Sequence, residues 1–282
     1  MTFSTRLSGA IVRTGTPLCV GIDPWADRLP GRRALREADR SALAALSLRF
    51  GLAVVAACAD LVPAVKPQFA FFEALGPAGM TALAEVCQAA RAAGLLVVGD
   101  AKRGDIGSTA SAYAAATLLP DAPFPCDALT VSPFLGPDTL DPFIQVARAQ
   151  QKGLFVLLRT SNPGSARWQA PVLDDLTAWI ESQNADGDPY GVVGAVVGAT
   201  HREASELRGR LPRTWLLVPG FGAQGGSAAE SRALVHDTGL GALINSSRGA
   251  TFPASPDDAY DDDPAAWIRA RVLETRAELA HG

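Results

Sequence analysis

The stretch Leu95-Leu96-Val97-Val98-Gly99-Asp100-Ala101-Lys102-Arg103-Gly104-Asp105 places a lysine between two carboxylates directly after a short apolar run. An apolar run of this length, bounded by glycine and charged residues, is typical of a buried strand. The chain has only three lysines among its 25 basic residues, so lysine at this position indicates a need for an amine. An amine can donate a proton, whereas a guanidinium effectively cannot. The stretch therefore predicts a chemical site at a strand end.

Similar apolar runs occur eight times, and segments with helical spacing, such as 41–59 and 80–93, lie between them. The runs are 18–22, 61–65, 95–98, 128–131, 154–158, 195–197, 215–218 and 242–244. Eight repeats of a strand followed by a helix predict an α/β protein with a (β/α)8 TIM barrel, formed by residues 1–282 as a single domain. Near-continuous apolar strands fit a parallel sheet that is covered on both faces. A doubly wound open sheet is the alternative.

Composition limits the classes of partner and the location. The net charge of −4 and the pI near 5.4 argue against binding to nucleic acid or to an acidic membrane, so small molecules are the expected partners. Residues 1–17 lack the apolar core of a signal peptide, and no segment is expected to approach the roughly 18 apolar residues of a membrane span. We therefore expect a cytoplasmic protein. Its four widely spaced cysteines are expected to be reduced core residues.

Polar residues recur where the predicted strands end. They are Asp23, Lys66, Asp100, Ser161, Gln224 and Arg248. Barrel enzymes build their active sites at the carboxyl ends of the strands, and these residues are therefore the candidates for such a site.

The pattern Asp-x-Lys-x-x-Asp at 100–105 is the most specific of these signals. Asp100 and Lys102 are two residues apart, so they point to the same side of an extended strand, and Asp105 follows through the flexible Gly104. Unit charges about 4 Å apart interact by roughly 4 kcal/mol at an effective dielectric near 20. Such a cluster can keep its lysine charged and repel a second anion, which suits a reaction that loses negative charge. A surface ion-pair network is the alternative interpretation.

Two glycine-rich turns, 218–227 and 245–249, follow the last two predicted strands. In many barrels these loops bind phosphate through backbone N–H groups, here with Arg248 as a further ligand. The alternative interpretation is that these segments are ordinary glycine turns and that the arginine has no role in binding. Three further positions each have two interpretations. Asp23 is suited either to binding sugar hydroxyls or to capping a turn, and Lys66 is either a second lysine at a strand end or a stray surface charge. Segment 159–164 is suited either to binding a heterocycle or to making a turn.

Other kinds of chemistry leave no signal in the sequence. The three histidines lack a metal-ligand spacing and a nearby nucleophile motif, and zinc spacings, a P-loop and an early dinucleotide fingerprint are absent. Neither a tightly bound metal nor a dinucleotide is therefore indicated. The acidic segment 253–264 is predicted to be a solvated loop before the last helix.

Taken in order, segments 21–23, 65–67, 100–109, 160–164, 218–226 and 247–249 resemble orotidine 5′-phosphate decarboxylase over nearly the whole barrel. The match is closest to the longer, second type of this enzyme found in bacteria. The resemblance implies decarboxylation of orotidine 5′-monophosphate to uridine 5′-monophosphate and CO₂, without a cofactor or a metal. It also implies a homodimer with two shared active sites.

The resemblance further implies a role for each matching residue. Lys102 is the proton donor to C6 of the pyrimidine, Asp100 lies against the departing carboxylate, and Lys66 links this pair to the ribose. Asp105 and Thr109 reach into the neighbouring subunit's site. The implied catalytic residues are Lys102, Asp100, Asp105 and Lys66, and the implied substrate-binding residues are Asp23, Ile106, Thr109, Ser161, Pro219, Gln224, Ser247 and Arg248.

Two rival functions remain at this point. The first is a magnesium-dependent sugar-phosphate decarboxylase or aldolase of the same superfamily. Those relatives carry a glutamate ligand where this chain has Lys66, and a cation there would repel the metal. The second is a barrel that binds a nucleotide without catalysis, although no catalytic residue of the pattern is missing.

Overall fold

The computed structural model describes residues 1–32, 39–186, 189–201, 203–222, 227–255 and 257–281, which form eight strands and thirteen α-helices. The strands are β1 (Leu18–Ile22), β2 (Ala64–Pro67), β3 (Leu96–Arg103), β4 (Ala128–Val131), β5 (Gly153–Arg159), β6 (Val193–Val197), β7 (Leu216–Pro219) and β8 (Ala242–Ser246). The helices are α1 (Phe3–Thr14), α2 (Arg40–Cys58), α3 (Phe69–Glu73), α4 (Gly76–Ala92), α5 (Gly107–Leu118), α6 (Asp141–Ala149), α7 (Ser165–Gln169), α8 (Leu173–Ser182), α9 (Ala204–Arg210), α10 (Ala228–Arg232), α11 (Arg248–Thr251), α12 (Asp258–Asp262) and α13 (Pro264–His281).

The eight strands are parallel and close into a barrel in chain order. Closure is made by β1 and β8, in which Leu18 pairs with Ile244 and Val20 with Ser246. An open doubly wound sheet would leave both of these strands as edges, so the predicted TIM barrel is confirmed and its alternative is wrong.

Alternate residues of each strand enter two different cores. In β1, Leu18, Val20 and Ile22 pack in the outer core with the surrounding helices, whereas Cys19 packs inside the barrel. Both faces are therefore apolar, and the strands read as continuous apolar runs. All four cysteines are buried free thiols, as predicted, and burial raises the pKa of Cys19 to about 12.

Helix α1 closes the barrel at the amino ends of the strands. Its residues Phe3 and Leu7 belong to the inner core, and the ring of Phe3 meets that of Phe155 edge to face at 6.1 Å. The indole nitrogen of Trp215 donates a hydrogen bond to Ser4 Oγ at 3.0 Å. With this end filled by apolar side chains, the carboxyl ends of the strands are left for polar groups.

Helix α2 corrects the expectation about membrane spans. It has 19 residues and is, by length and composition alone, the one helix in the described part of the chain that could cross a membrane. It packs between α4 and α13 in the outer ring. A Cβ on its Gly51 would lie only 2.4 Å from Val86 Cγ2 of α4, so the two helices are in close contact. Packing on several sides accounts for its apolar composition.

Some predicted boundaries also differ from the structure. Strand β2 begins at Ala64 rather than Leu61, because Leu61 and Val62 lie in the turn that precedes Pro63. The acidic segment was predicted as a solvated loop, but it contains α12, whose N-terminal Asp257 caps the helix by accepting from Ala259 N. Its Tyr260 is buried between Phe252 and Trp267. The aromatic packing holds the acidic residues in a helical turn.

Candidate active site

Three charged side chains form a compact cluster at the carboxyl ends of β2 and β3, here called the lysine–aspartate array (Lys66, Asp100 and Lys102). Lys66 Nζ lies 2.5 Å from Asp100 Oδ2, and Lys102 Nζ lies 2.5 Å from Asp100 Oδ1. Lys66 and Asp100 are buried, whereas the Lys102 side chain is 48% exposed. One carboxylate thus binds two ammonium groups, of which Lys102 is the more accessible.

The backbone that carries Lys102 is bulged. Between Leu129 and Val131 of β4 the chain advances two residues, while the facing part of β3 advances four, from Gly99 to Arg103. Lys102 has a φ of +50°, a left-handed conformation that is unusual for lysine and costs of order 1–3 kcal/mol. The spacing of Asp100 and Lys102 predicted that both side chains lie on one face of an extended strand. The contact is present, but it is produced by the bulge.

Thr130 of β4 holds this bulge in place. Its Oγ1 accepts hydrogen bonds from Ala101 N at 3.0 Å and from Lys102 N at 2.9 Å, and it lies 3.2 Å from Asp100 Oδ1. Thr130 is 1% exposed, so its hydroxyl has no access to water. The hydroxyl therefore satisfies two N–H groups that the bulge removes from the regular ladder.

Gln68 completes the contacts of Asp100. Its Nε2 donates to Asp100 Oδ2 at 2.9 Å, and the two residues form a bridge between the ends of β2 and β3. Sequence reasoning missed both Gln68 and Thr130. Gln68 had a usable signal, because it follows Lys66 by two residues and so shares its side of the strand.

The buried pair Asp100 and Lys66 is ionised at every physiological pH. Burial alone would raise the pKa of Asp100, but Lys66 and Lys102 outweigh burial and hold that pKa well below its usual range. Burial alone would lower the pKa of Lys66, but Asp100 and Asp23 outweigh it and hold that pKa above its usual range. A permanently charged Asp100 repels any anion placed beside it.

A cavity of about 350 Å³ opens at the ends of β1, β7 and β8. Its lining includes Asp23, Trp25, Gly220, Asn245, Ser247 and Arg248. Asp23 Oδ1 and Asn245 Oδ1 are buried without a hydrogen-bond partner in the described structure. Buried polar atoms of this kind normally have partners, so these two are suited to a ligand that donates hydrogen bonds.

Gly220 and Arg248, from the two predicted glycine-rich turns, both line this cavity. Gly21 is required there, because a Cβ would lie 1.8 Å from Ser247 Oγ. Pro219 ends β7, and Gly220 follows it with a φ of +95°. Arg248 forms no ion pair with any described residue, so its guanidinium is available to an anion. The predicted phosphate ligand Gln224 lies outside the described residues.

The structure does not bring every predicted residue to the array. Asp105 makes no ion pair with Lys102 in the described structure. Instead, Asp105 Oδ1 accepts a hydrogen bond from Ile106 N at 2.8 Å. Ile106 is 64% exposed, and Thr109 is also exposed on α5. Ser161 lies on the exposed turn after β5. Within one chain, Ile106 and Thr109 are therefore exposed, and Asp105 is partly buried.

A closed (β/α)8 barrel with charged side chains at the carboxyl ends of its strands is a TIM-barrel enzyme, and comparison with known proteins defines which kind. A family model described as "Orotidine 5'-phosphate decarboxylase / HUMPS family" matches residues 16–262. The chain is 46% identical to the orotidine 5′-phosphate decarboxylase of Rhodopirellula baltica, with 99% of both sequences covered. It is 43% identical to that of Deinococcus radiodurans, covering 95% of this chain and 96% of the other.

The fold comparison agrees. The solved structure of Leishmania donovani OMP decarboxylase matches with a TM-score of 0.75 and 34% identity, and the match covers 100% of each chain. The chain therefore belongs to the orotidine 5′-phosphate decarboxylase / HUMPS family.

We expect Thr130→Val to lower kcat roughly tenfold to a hundredfold, because two partly buried N–H groups would lose their acceptor at a cost of about 1–3 kcal/mol and the bulge that carries Lys102 would lose its support. Steady-state decarboxylation assays measure this effect, and Thr130→Ser restores activity because it keeps the hydroxyl. The matched control is Thr177→Val, since Thr177 is equally buried but donates only to Leu173 O of its own helix. Unchanged kcat in folded Thr130→Val would contradict this role.

Proposed function

We propose that this chain converts orotidine 5′-monophosphate to uridine 5′-monophosphate and CO₂, the last step of de novo pyrimidine synthesis, with Lys102 as the proton donor to C6. The observation that carries the proposal is the lysine–aspartate array, which sets a buried, permanently charged carboxylate beside an accessible ammonium group. Decarboxylation needs both: an anion to disfavour the substrate carboxylate and an acid to protonate what remains.

The chemistry follows from where charge develops. When the C6–CO₂ bond breaks, its electron pair stays on C6 in the plane of the ring, where the ring π system cannot delocalise it. The ammonium group of Lys102 stabilises this carbanion and then transfers a proton to it, forming the C6–H bond of the product. Proton donation alone is worth about 10² to 10⁴ in rate. Repulsion by Asp100, field stabilisation and binding energy at remote groups supply the remainder.

The rest of the nucleotide is assigned to the cavity. Asp23 accepts hydrogen bonds from the ribose hydroxyls with its unpartnered Oδ1, and Lys66 links the ribose to the array. The phosphate is bound by Arg248 with Pro219, Gln224 and Ser247. Ser161 binds the amide edge of the pyrimidine. Arg248 supports this orientation because it has no carboxylate partner among the described residues and is free to bind a dianion.

We also propose a homodimer in the cytoplasm, in which residues 1–282 of each chain form a single domain. Asp105, Ile106 and Thr109 then enter the partner's active site, which is supported by the exposure of Ile106 and Thr109 in one chain. Large apolar side chains nearby support an interface, since Phe134 is 81% and Leu135 51% exposed.

Two rival functions are less well supported. In a magnesium-dependent sugar-phosphate enzyme, the cation would have to share the carboxylates of Asp100 and Asp23 with the buried ammonium of Lys66. In the described part of the chain, no group of three or more metal-ligating side chains is assembled. A barrel that only binds a nucleotide does not require a buried carboxylate paired with two ammonium groups.

The reaction is tested by the ultraviolet absorbance of orotidine 5′-monophosphate mixed with protein that has been dialysed against EDTA. We expect rapid loss of the orotate absorbance without added metal. Lys102→Ala and Lys102→Arg should both lose turnover by at least about 10². The arginine variant keeps the charge but not the acid, so it should still bind uridine 5′-monophosphate. Wild-type activity only after magnesium is restored, or near-normal activity of either variant, would contradict the proposal.

Shared active sites are tested by mixing two inactive variants, Asp105→Ala and Lys102→Ala. Random exchange makes half of the dimers hybrids, and each hybrid has one intact site, so about one quarter of wild-type activity should return. Native mass spectrometry checks that subunits have exchanged. If hybrids form and activity stays absent, Asp105 does not act across the interface.

A further inference from the structure

The turn after β5 is anchored through one residue, Thr160, whose polar atoms are all engaged. Gln169 Oε1 accepts a hydrogen bond from Thr160 N at 2.9 Å, and Gln169 Nε2 donates to Thr160 Oγ1 at 2.8 Å. His201 Nε2 lies 2.7 Å from Thr160 O. Asn162 Oδ1 lies 2.7 Å from the Thr160 hydroxyl. Gln169 belongs to α7 and His201 to the loop after β6, so two separate segments hold the same residue.

The far end of this turn is fixed as well. Ser165 N donates to Asn162 O at 3.1 Å, and Arg159 Nη1 donates to Ser165 Oγ at 2.5 Å. Arg159 is 6% exposed and forms no ion pair with a carboxylate in the described structure. Its buried guanidinium therefore serves the turn and not a salt bridge.

Ser161 lies inside this frame and is itself unengaged. Its hydroxyl makes no hydrogen bond with any residue that the structure describes, and the residue is exposed at the carboxyl end of the barrel. The end of β6 lies close behind it. A Cβ on Gly198 would lie 3.3 Å from Ser161 Cβ and 3.2 Å from His201 Cδ2. The residue before Ser161 is thus locked while its own hydroxyl remains free for a ligand.

We propose that Gln169 and His201 are positioning residues that hold Ser161 for the pyrimidine ring and thereby set part of the preference for a nucleotide over its sugar phosphate. The inference rests on the proposed function, in which Ser161 binds the amide edge of the base. Neither side chain bonds to the lysine–aspartate array, so both act through Thr160.

Preorganisation is the physical reason for this effect. A hydroxyl on an exposed turn contributes to binding only after the turn is ordered, and that ordering lowers the net affinity when binding has to bring it about. Here Gln169 and His201 order the turn before the base arrives. Removing either side chain should weaken the contact with the base and leave the contacts with ribose and phosphate, which lie at the ends of other strands.

The test compares the dissociation constants of uridine 5′-monophosphate and ribose 5-phosphate by isothermal titration calorimetry. Gln169→Ala and His201→Ala should each weaken binding of the nucleotide about fivefold to tenfold, the size expected for one neutral hydrogen bond. Binding of ribose 5-phosphate should change by less than about twofold, since it has no base. Ser161→Ala should produce the same selective loss.

Two further variants separate positioning from general stability. His201→Gln keeps an N–H donor and should recover most of the nucleotide affinity. His236→Ala is the matched control, because His236 pairs with Tyr190 Oη at 2.7 Å, away from this turn, and should leave both affinities unchanged. Retained binding of ribose 5-phosphate also reports that each variant is folded.

Three results would overturn the inference. These are equal weakening for both ligands, no weakening for either, or failure of His201→Gln to recover what His201→Ala loses. If Ser161→Ala is selective while the Gln169 and His201 variants are not, only the inference fails. If Ser161→Ala is itself without effect, the assignment of Ser161 fails with it, while the decarboxylation assay decides the reaction separately.

Discussion

The structure of the site depends on one buried carboxylate between two ammonium groups. A charge as buried as that of Asp100 is strongly disfavoured unless it is paired and hydrogen-bonded. Lys66, Lys102 and Gln68 supply those partners. The same contacts keep Asp100 from being protonated, so the site keeps a negative charge beside the position proposed for the substrate carboxylate. The repulsion between Asp100 and a bound substrate carboxylate therefore follows from the folded structure itself.

The barrel makes this arrangement possible. Its amino end is filled by α1 and a layer of apolar side chains, so polar residues that point inwards collect at the carboxyl end. Thr130 supports the bulge that aims Lys102 at the site. Gly21 leaves space for Ser247 on the opposite side of the barrel. Residues from distant parts of the chain are therefore placed within one site by strand pairing and close packing.

The barrel and the position of the charged residues were predictable from the sequence, because both depend on patterns within short segments of the chain. Eight apolar runs predicted the barrel, and the charged residues near the carboxyl ends of these runs predicted a site at that end of the barrel. The pairing of Asp100 with Lys102 was predicted from their spacing. The bulge beneath them was not, because it depends on the hydroxyl of Thr130, which lies on another strand.

The other features that the sequence did not predict also depend on contacts between distant segments of the chain. The hydrogen bonds from Gln169 and His201 to Thr160 join segments that the sequence does not show to be neighbours. The aromatic packing that makes a helix of the acidic segment also depends on tertiary contacts. Asp105 differs again, because its proposed partner belongs to another chain.

The most direct test of this account is the turnover of Asp100→Asn, which keeps the shape of the side chain and removes its charge. Without a carboxylate to hold two ammonium groups and to repel the substrate carboxylate, kcat should fall by about 10² or more. Binding of the dianionic product should be unchanged or tighter, because the site becomes more positive. A kcat within a few-fold of wild type would contradict the claim that the charge of Asp100 drives the reaction.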